Sequence, residues 1–430
     1  MATETALFDV GVLFGAVGLA GVIAGRINQS VIPFYIFAGM LLGPHVLGEL
    51  PSIVGANVGA FGIDVSSALA GIALADTDFV TVGAELGIVL LLFFLGLEFN
   101  LERLLASRTL IGKAGLVDLL NFAVGLVLGW LLFGNLLAAF LVAGIVYISS
   151  SAIITKSLID LGWIANDEAD PMLGTLVFED LFIAIYLAIA SVLVIGGDDV
   201  AETATQIGLA TGFIVALLLL VHFGAPLFQR ALETDSHEFV VLRVLGVTVL
   251  VAGAALSVEV SEAVAAFFVG MAFSSTEHVH RIEELFEPLR DAFAAVFFFW
   301  IGLLTDPGVF ADAFVLVAIA VSVAVTTPSK FVTGYLGGRI YDLDERRSVR
   351  VGLGMTTRGE FSLIIASLAL SGAGSGLSDG TADAIYAFAV GYVLFMSILG
   401  TTLMQYADDV ESVVVPRLKS ARGVPRRTDD

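Results

Sequence analysis

Long apolar stretches separated by short polar breaks run through almost the whole chain. A membrane-crossing helix needs ~20 mostly apolar residues. Read at that length, the stretches fall near 6–25, 31–48, 80–98, 112–134, 136–156, 172–195, 205–228, 239–257, 261–275, 291–304, 313–338, 351–371 and 383–405. The segments 261–275 and 291–304 are the shortest of these. The pattern predicts an all-α membrane protein of about thirteen transmembrane helices. A transmembrane domain would cover residues 1–405, and 406–430 would be a basic cytoplasmic tail.

The basic residues orient this array. Met1 to Asp9 holds two acids and no Lys or Arg, which speaks against a secretory signal peptide. Arg26 follows the first span, placing the N-terminus outside. The inner loops and helix ends then receive Arg26, Arg103, Arg108, Lys113, Lys156, Arg230, Arg243, Arg281, Arg290, Arg339, Arg346, Arg347 and Arg350. The tail adds Arg417, Lys419, Arg422, Arg426 and Arg427, so 18 of the 20 basic residues lie inside and none in an outer loop. A wrong helix count would scatter them over both faces. The two exceptions, Lys330 and Arg358, fall within spans.

Thirteen spans also accommodate an inverted repeat, because spans 1–6 and 8–13 are offset by an odd number. Span 5 carries the polar break Ile148-Ser149-Ser150-Ser151-Ala152. Its repeat partner, span 12, carries Met355-Thr356-Thr357-Arg358-Gly359-Glu360. Two interrupted, crossing helices at matching places in two halves point to a transporter binding site.

Composition agrees. Hydrophobic residues make up 58% of the chain and charged residues 14%, against about 25% charged in soluble domains. The 46 glycines suit close helix approach in lipid. There is no cysteine, hence no disulfide or thiolate metal site, and neither an HExxH pair nor a P-loop occurs. The net charge of −22 suits a high-salt environment, or is simply that of an acidic membrane protein.

Chemistry concentrates at one depth. Glu179 and Asp180 sit in the apolar run Leu176-Val177-Phe178-Glu179-Asp180-Leu181-Phe182. Asp180 lies ~12 Å into its span at 1.5 Å per residue, near the midplane. Acids there face a cavity or a partner, and carboxylates are oxygen ligands for which alkali cations and protons compete. Their alternative is a hydrogen-bonded helix-packing pair. Lys330, at similar depth, demands an acidic partner, with Glu179 or Asp180 the obvious choice and snorkelling the alternative. Arg358 and Glu360 are expected to neutralise helix ends at the crossing. Ser149, Ser150, Ser151, Thr356 and Thr357 are candidate ion-coordinating hydroxyls, or ordinary helix contacts. Glu98 and Asp118 are expected as structural or entrance residues.

Together these segments resemble the monovalent cation/proton antiporter family of Kef-type potassium/proton and NapA-type sodium/proton exchangers. The segments that carry the resemblance are Leu92-Phe93-Phe94-Leu95-Gly96-Leu97-Glu98-Phe99, Ser149-Ser150-Ser151-Ala152-Ile153-Ile154, Phe178-Glu179-Asp180, Phe297-Phe298-Phe299-Trp300-Ile301-Gly302-Leu303 and Arg358-Gly359-Glu360-Phe361. The resemblance implies a homodimer in the cell membrane with a dimerisation part and a moving core, exchanging K+ or Na+ for protons by an elevator-like shift. It implies no enzyme activity, no tightly bound cofactor and no resident metal. Asp180 matches the family's ion-binding aspartate, and Lys330 matches the lysine that pairs with the preceding acid. Glu179 stands where sodium exchangers commonly have aspartate and Kef-type proteins glutamine, leaving Na+ versus K+ and the proton count open. Many Kef-type relatives carry a soluble regulatory domain after the membrane part. Here the sequence given ends at Asp430, and a separate cytoplasmic regulatory subunit is the expectation. The rival readings are a gated, channel-like cation efflux pathway of the same architecture, an intramembrane aspartyl enzyme, and a signalling module. Adjacent rather than facing acids argue against the enzyme, and midplane acids have no purpose in the signalling module.

Overall fold

The computed structural model describes residues 2–49, 73–98 except 76, 101–195, 236–257, 262–374 except 275, and 376–421, with scattered positions between 208 and 234. The expected span at 205–228, most of the outer loop at 49–78 and the end of the tail therefore lie outside the described residues. The described residues are helical, with no strand among them. Among the described residues, seven helices are long and apolar enough to cross a membrane, and four shorter apolar helices accompany them.

The chain divides into two compact units. The first comprises residues 1–100, 184–316 and 367–390. It contains α1 (Ala2–Arg26), α2 (Val31–Leu42) and α3 (Asp78–Glu98). Its later helices are α9 (His237–Leu256), α10 (Glu262–Ser274) and α11 (Val279–Leu304). Ser30 caps α2 by accepting from the Ile32 N–H, and Ser236 caps α9 by accepting from Phe239. Two pairs of helices meet at reciprocal glycines. A Cβ on Gly39 of α2 would collide with the Phe299 carbonyl of α11, and one on Gly302 of α11 would collide with Ile36 of α2. Gly96 of α3 and Gly270 of α10 relate in the same way to Phe267 and Phe93. Such backbone contact supplies packing where lipid offers no hydrophobic drive. Leu13, Val17, Val80, Val296, Phe299 and Leu303 form a core behind it.

The second unit comprises residues 101–183, 317–366 and 391–430. It begins with α4 (Leu101–Asp118) and α5 (Leu120–Phe133), so the expected span at 112–134 is a longer helix bent at Leu119. Gly134, at φ +63°, ends α5 in the left-handed conformation that glycine adopts without strain. Next come α6 (Leu136–Tyr147) and α7 (Ser151–Asp160), the two halves of expected span 5. Then follows the first part of α8 (Ala169–Ile195). The rest is most of α12 (Ala313–Ile340), then α13 (Glu345–Gly354) and α14 (Glu360–Ser371), the halves of expected span 12. The end of α15 (Asp379–Gln405) and α16 (Ala407–Ala421) complete it. The tail is thus helical to Ala421, and α16 packs against α13.

Several boundaries differ from the apolar pattern. The helix of expected span 2 stops at Leu42, short of residue 48. Helix α11 starts at Val279 rather than near 291, because its first turns are amphipathic.

Candidate ion-binding site

The second unit brings its polar residues together at the helix breaks. Residues 148–150 separate α6 from α7, and 355–359 separate α13 from α14. Each break leaves orphan carbonyls on one side and orphan N–H groups on the other. Arg358, fully buried, takes the carbonyls. Its Nε donates to Val146 O at 2.9 Å, and its Nη1 to Met355, Thr356 and Thr357 O at 3.3, 3.1 and 2.8 Å. Glu360 lies on the opposite ends. It opens α14 and accepts from Ser150 Oγ at 2.7 Å and Ser151 Oγ at 3.4 Å. Ser150 also caps α7 through the Ile153 N–H. A cation on carbonyl ends and an anion on N–H ends are the favourable signs for helix dipoles.

Glu179 enters from α8. Its Oε2 accepts the Ser149 N–H at 2.6 Å, and its Oε1 accepts from Ser149 Oγ at 3.1 Å. The Oε1 atom also lies 2.8 Å from Lys330 Nζ of α12. Both side chains are fully buried. Asp180, the next residue on α8, is buried as well, at 8% exposure.

Lys330 is more elaborately held than expected. Besides Glu179 it donates to Asp118 Oδ2 at 2.7 Å and to the Tyr147 carbonyl at 3.0 Å. Those three acceptors match the three donors of an ammonium group. The Tyr147 ring centroid is 4.9 Å away, within cation–π range. That ring packs edge-on against Phe182. Asp118 takes the structural of the two roles expected for it: with 2% of its side chain exposed, it closes the network from the end of α4. Its Oδ1 accepts from Asn121 Nδ2 at 3.0 Å and Thr333 Oγ1 at 3.1 Å. Asn121 in turn accepts from Ser329 Oγ at 2.6 Å.

Of the other candidates, Thr356 turns its hydroxyl onto Leu353 O at 2.7 Å, and the buried Thr357 hydroxyl has no hydrogen-bond partner among the described residues. The Glu98 side chain lies outside the described residues. Asp118 carries a sparser form of the signal that singled out the pair Glu179-Asp180, a single acid in an apolar run, here Leu116-Val117-Asp118-Leu119-Leu120. Asn121, Ser329 and Thr333 carry no such signal.

A cluster of another kind lies at the α13–α16 contact. Arg350 bridges Glu168 at 2.9 Å, Asp408 at 2.8 Å and Glu411, with its guanidinium 4.6 Å from the Trp163 ring centroid. Arg346 pairs with Asp408 and Glu411, and Arg347 with Asp167.

Comparison with known proteins gives the family and the fold. Residues 12–406 match the family model described as sodium/hydrogen exchanger, transmembrane. The chain is 35% identical over 396 residues to the K(+)/H(+) antiporter subunit KhtU of Bacillus subtilis, covering 92% of this chain and 91% of that one. It is 31% identical over 344 residues to the ammonium/H(+) antiporter subunit AmhT of Alkalihalophilus pseudofirmus, covering 78% and 84%. The high-affinity Na(+)/H(+) antiporter NhaS3 of Synechocystis is 27% identical over 400 residues, covering 88% and 85%. In fold it resembles the sodium proton antiporter MjNhaP1 of Methanocaldococcus jannaschii, with a TM-score of 0.63 at 16% identity over 96% of this chain and 99% of that one. This multi-pass membrane protein belongs to the transmembrane sodium/hydrogen exchanger family.

Proposed function

We propose that the chain is a secondary active antiporter that exchanges a monovalent cation, K+ or Na+, for protons across the cell membrane by alternating access. Family membership and the names of its relatives support the reaction class. The observation that carries the site is Glu179, held between Lys330 and the unwound backbone at Ser149, with Asp180 beside it. A carboxylate so placed can trade a proton for a cation while the break supplies backbone and hydroxyl oxygens.

In this reading Asp180 and Glu179 hold either protons or one cation, with Ser150, Ser151 and Thr356 lining the break. Cation entry displaces protons and loosens the Lys330–Glu179 contact. The core then shifts, elevator-like, to open on the other side. Either ion alone permits the shift, and the empty charged site does not. Arg358 and Glu360 keep the crossing intact and bind no ion. The chain crosses the membrane thirteen times, N-terminus outside, with residues 1–405 as exchanger domain and 406–430 as cytoplasmic tail. It works as a homodimer, without enzymatic chemistry, tightly bound cofactor or resident metal. Two relatives are named as antiporter subunits, which supports a separate cytoplasmic regulatory subunit here as well.

Asp180→Asn is expected to abolish exchange in proteoliposomes loaded with a pH-sensitive dye and challenged in turn with Na+, K+ and Li+. Wild-type-like exchange by that variant overturns the assignment. Cation flux by the wild type that is indifferent to a collapsed pH gradient would favour the channel-like alternative.

A further inference from the structure

Lys330 has two acids, and their surroundings differ. Asp118 sits at the end of α4, its second oxygen locked by Asn121 and Thr333, which is itself on α12 one turn beyond Lys330. Neither partner belongs to the breaks between α6 and α7 or between α13 and α14. Glu179 instead has its second oxygen on the Ser149 N–H, inside the break between α6 and α7. One acid is built into a rigid hydrogen-bonded corner, and the other sits on the irregular backbone where an ion would enter.

Charge arithmetic separates them further. Asp118, Glu179 and Lys330 together carry one formal negative charge. If Lys330 faced Glu179 alone, neutralising Glu179 would leave a buried ammonium with no counterion, at a large energetic cost. With Asp118 present, Glu179 can take up a proton or a cation while Lys330 keeps Asp118 at 2.7 Å and the Tyr147 carbonyl at 3.0 Å. A lysine that surrendered its proton would instead keep two N–H donors for these three acceptors and leave Asp118 a buried carboxylate without its counterion.

Resting on the antiport reading above, we infer that Asp118 is the permanent counterion of Lys330, a positioning residue that keeps the lysine charged throughout the cycle. The transported protons then ride on Glu179 and Asp180, and none rides on Lys330. The lysine acts as a fixed charge that draws Glu179 toward the break and is never a proton carrier.

The test is a double-variant cycle in the full-length protein, read as thermal stability, exchange rate and proton-to-cation ratio, the ratio taken from the ion gradients at which dye-reported exchange reverses. Lys330→Gln leaves Asp118 and Glu179 as two buried, unbalanced acids. Asp118→Asn combined with Lys330→Gln removes the pair together and restores the net charge. The double variant is expected to exchange at least roughly tenfold faster than Lys330→Gln alone, the size of coupling that contacting residues show. Its proton-to-cation ratio should equal that of the wild type. A ratio lower by one proton would put a transported proton on Lys330 and overturn the inference, as would a double variant no faster or no more stable than Lys330→Gln. Asp118→Asn and Glu179→Gln as single variants give an independent arm. Glu179→Gln should melt closer to the wild type than Asp118→Asn does, since it leaves Lys330 its fixed counterion, and the reverse order would also overturn the inference. Failure of wild-type exchange, or its survival in Asp180→Asn, would indict the antiport reading instead.

Discussion

The two helix breaks of the second unit look alike in sequence and differ in what holds them. At the break between α13 and α14 the exposed carbonyls of Met355, Thr356 and Thr357 are taken by Arg358, a residue of the break itself. At the break between α6 and α7 the Ser149 N–H and the Ser150 hydroxyl are taken by carboxylates from elsewhere, Glu179 and Glu360. A guanidinium keeps its proton at any accessible pH, whereas a carboxylate can be protonated or can bind a cation. One break is therefore fixed in charge and the other can change. Arg358 also spans the two through the Val146 carbonyl, so the fixed break braces the variable one.

The largest effect should come from removing that brace. Arg358→Met takes the guanidinium from four buried carbonyls, of which Met355 O alone keeps a side-chain donor, Ser149 Oγ at 3.2 Å, a loss of about 3–5 kcal/mol by the usual cost of breaking buried charge-assisted contacts. The expected result is a collapse in yield of folded protein, or a steep fall in melting temperature in detergent. Arg358→Lys sharpens the point, because a compact ammonium cannot reach carbonyls on both breaks. A Lys variant as stable as the wild type would mean that charge alone suffices and the forked geometry is idle.

Glu360→Gln tests the other half of the comparison. Its amide oxygen can still accept from Ser150, so the cost should be about 1–2 kcal/mol, the difference between a charged and a neutral hydrogen bond. If Glu360 serves only the helix ends, the variant melts lower while the cation concentration for half-maximal exchange stays put. A shift in that concentration would move Glu360 into the ion site.

Both breaks were legible because polar runs interrupt otherwise apolar spans. Lys330 and Arg358 stood out because they violated the one-sided placement of basic residues. The partnership of Lys330 with Asp118 was not legible, since it joins residues 212 apart in sequence. A lone acid in an apolar run announces that it has a partner without saying which. The beginnings of α11 and α13 were invisible for another reason. Residues such as Arg281, Glu283, Glu284 and Glu287 in α11, and Glu345, Arg346 and Arg347 in α13, continue helices past their apolar windows. A length-and-hydropathy reading ends where the charge begins, although the backbone hydrogen bonds do not.

The smallest effects belong to the α13–α16 contact, where ion pairs stand on the same half-helix that leads into the fixed break. Arg346 is 60% exposed and one partner, Asp408, 78% exposed, so water and salt screen that pair, while its other partner, the buried Glu411, keeps Arg350 when Arg346 is lost. Arg350 is only 15% exposed, stacks on Trp163 and reaches the buried Glu168. Arg346→Gln should therefore lower the melting temperature slightly at low ionic strength and not at all at high ionic strength. Arg350→Gln should lower it more and keep most of that loss in high salt, because buried Glu168 would retain only the longer 3.8 Å contact to Arg347 and buried Glu411 would lose one of its two arginines. Equal, salt-sensitive losses for the two would show that the ion pairs of this contact act as screened surface charge, leaving the apolar packing of Val349, Val351 and Leu353 against Ala407, Val410 and Val414 to hold α16.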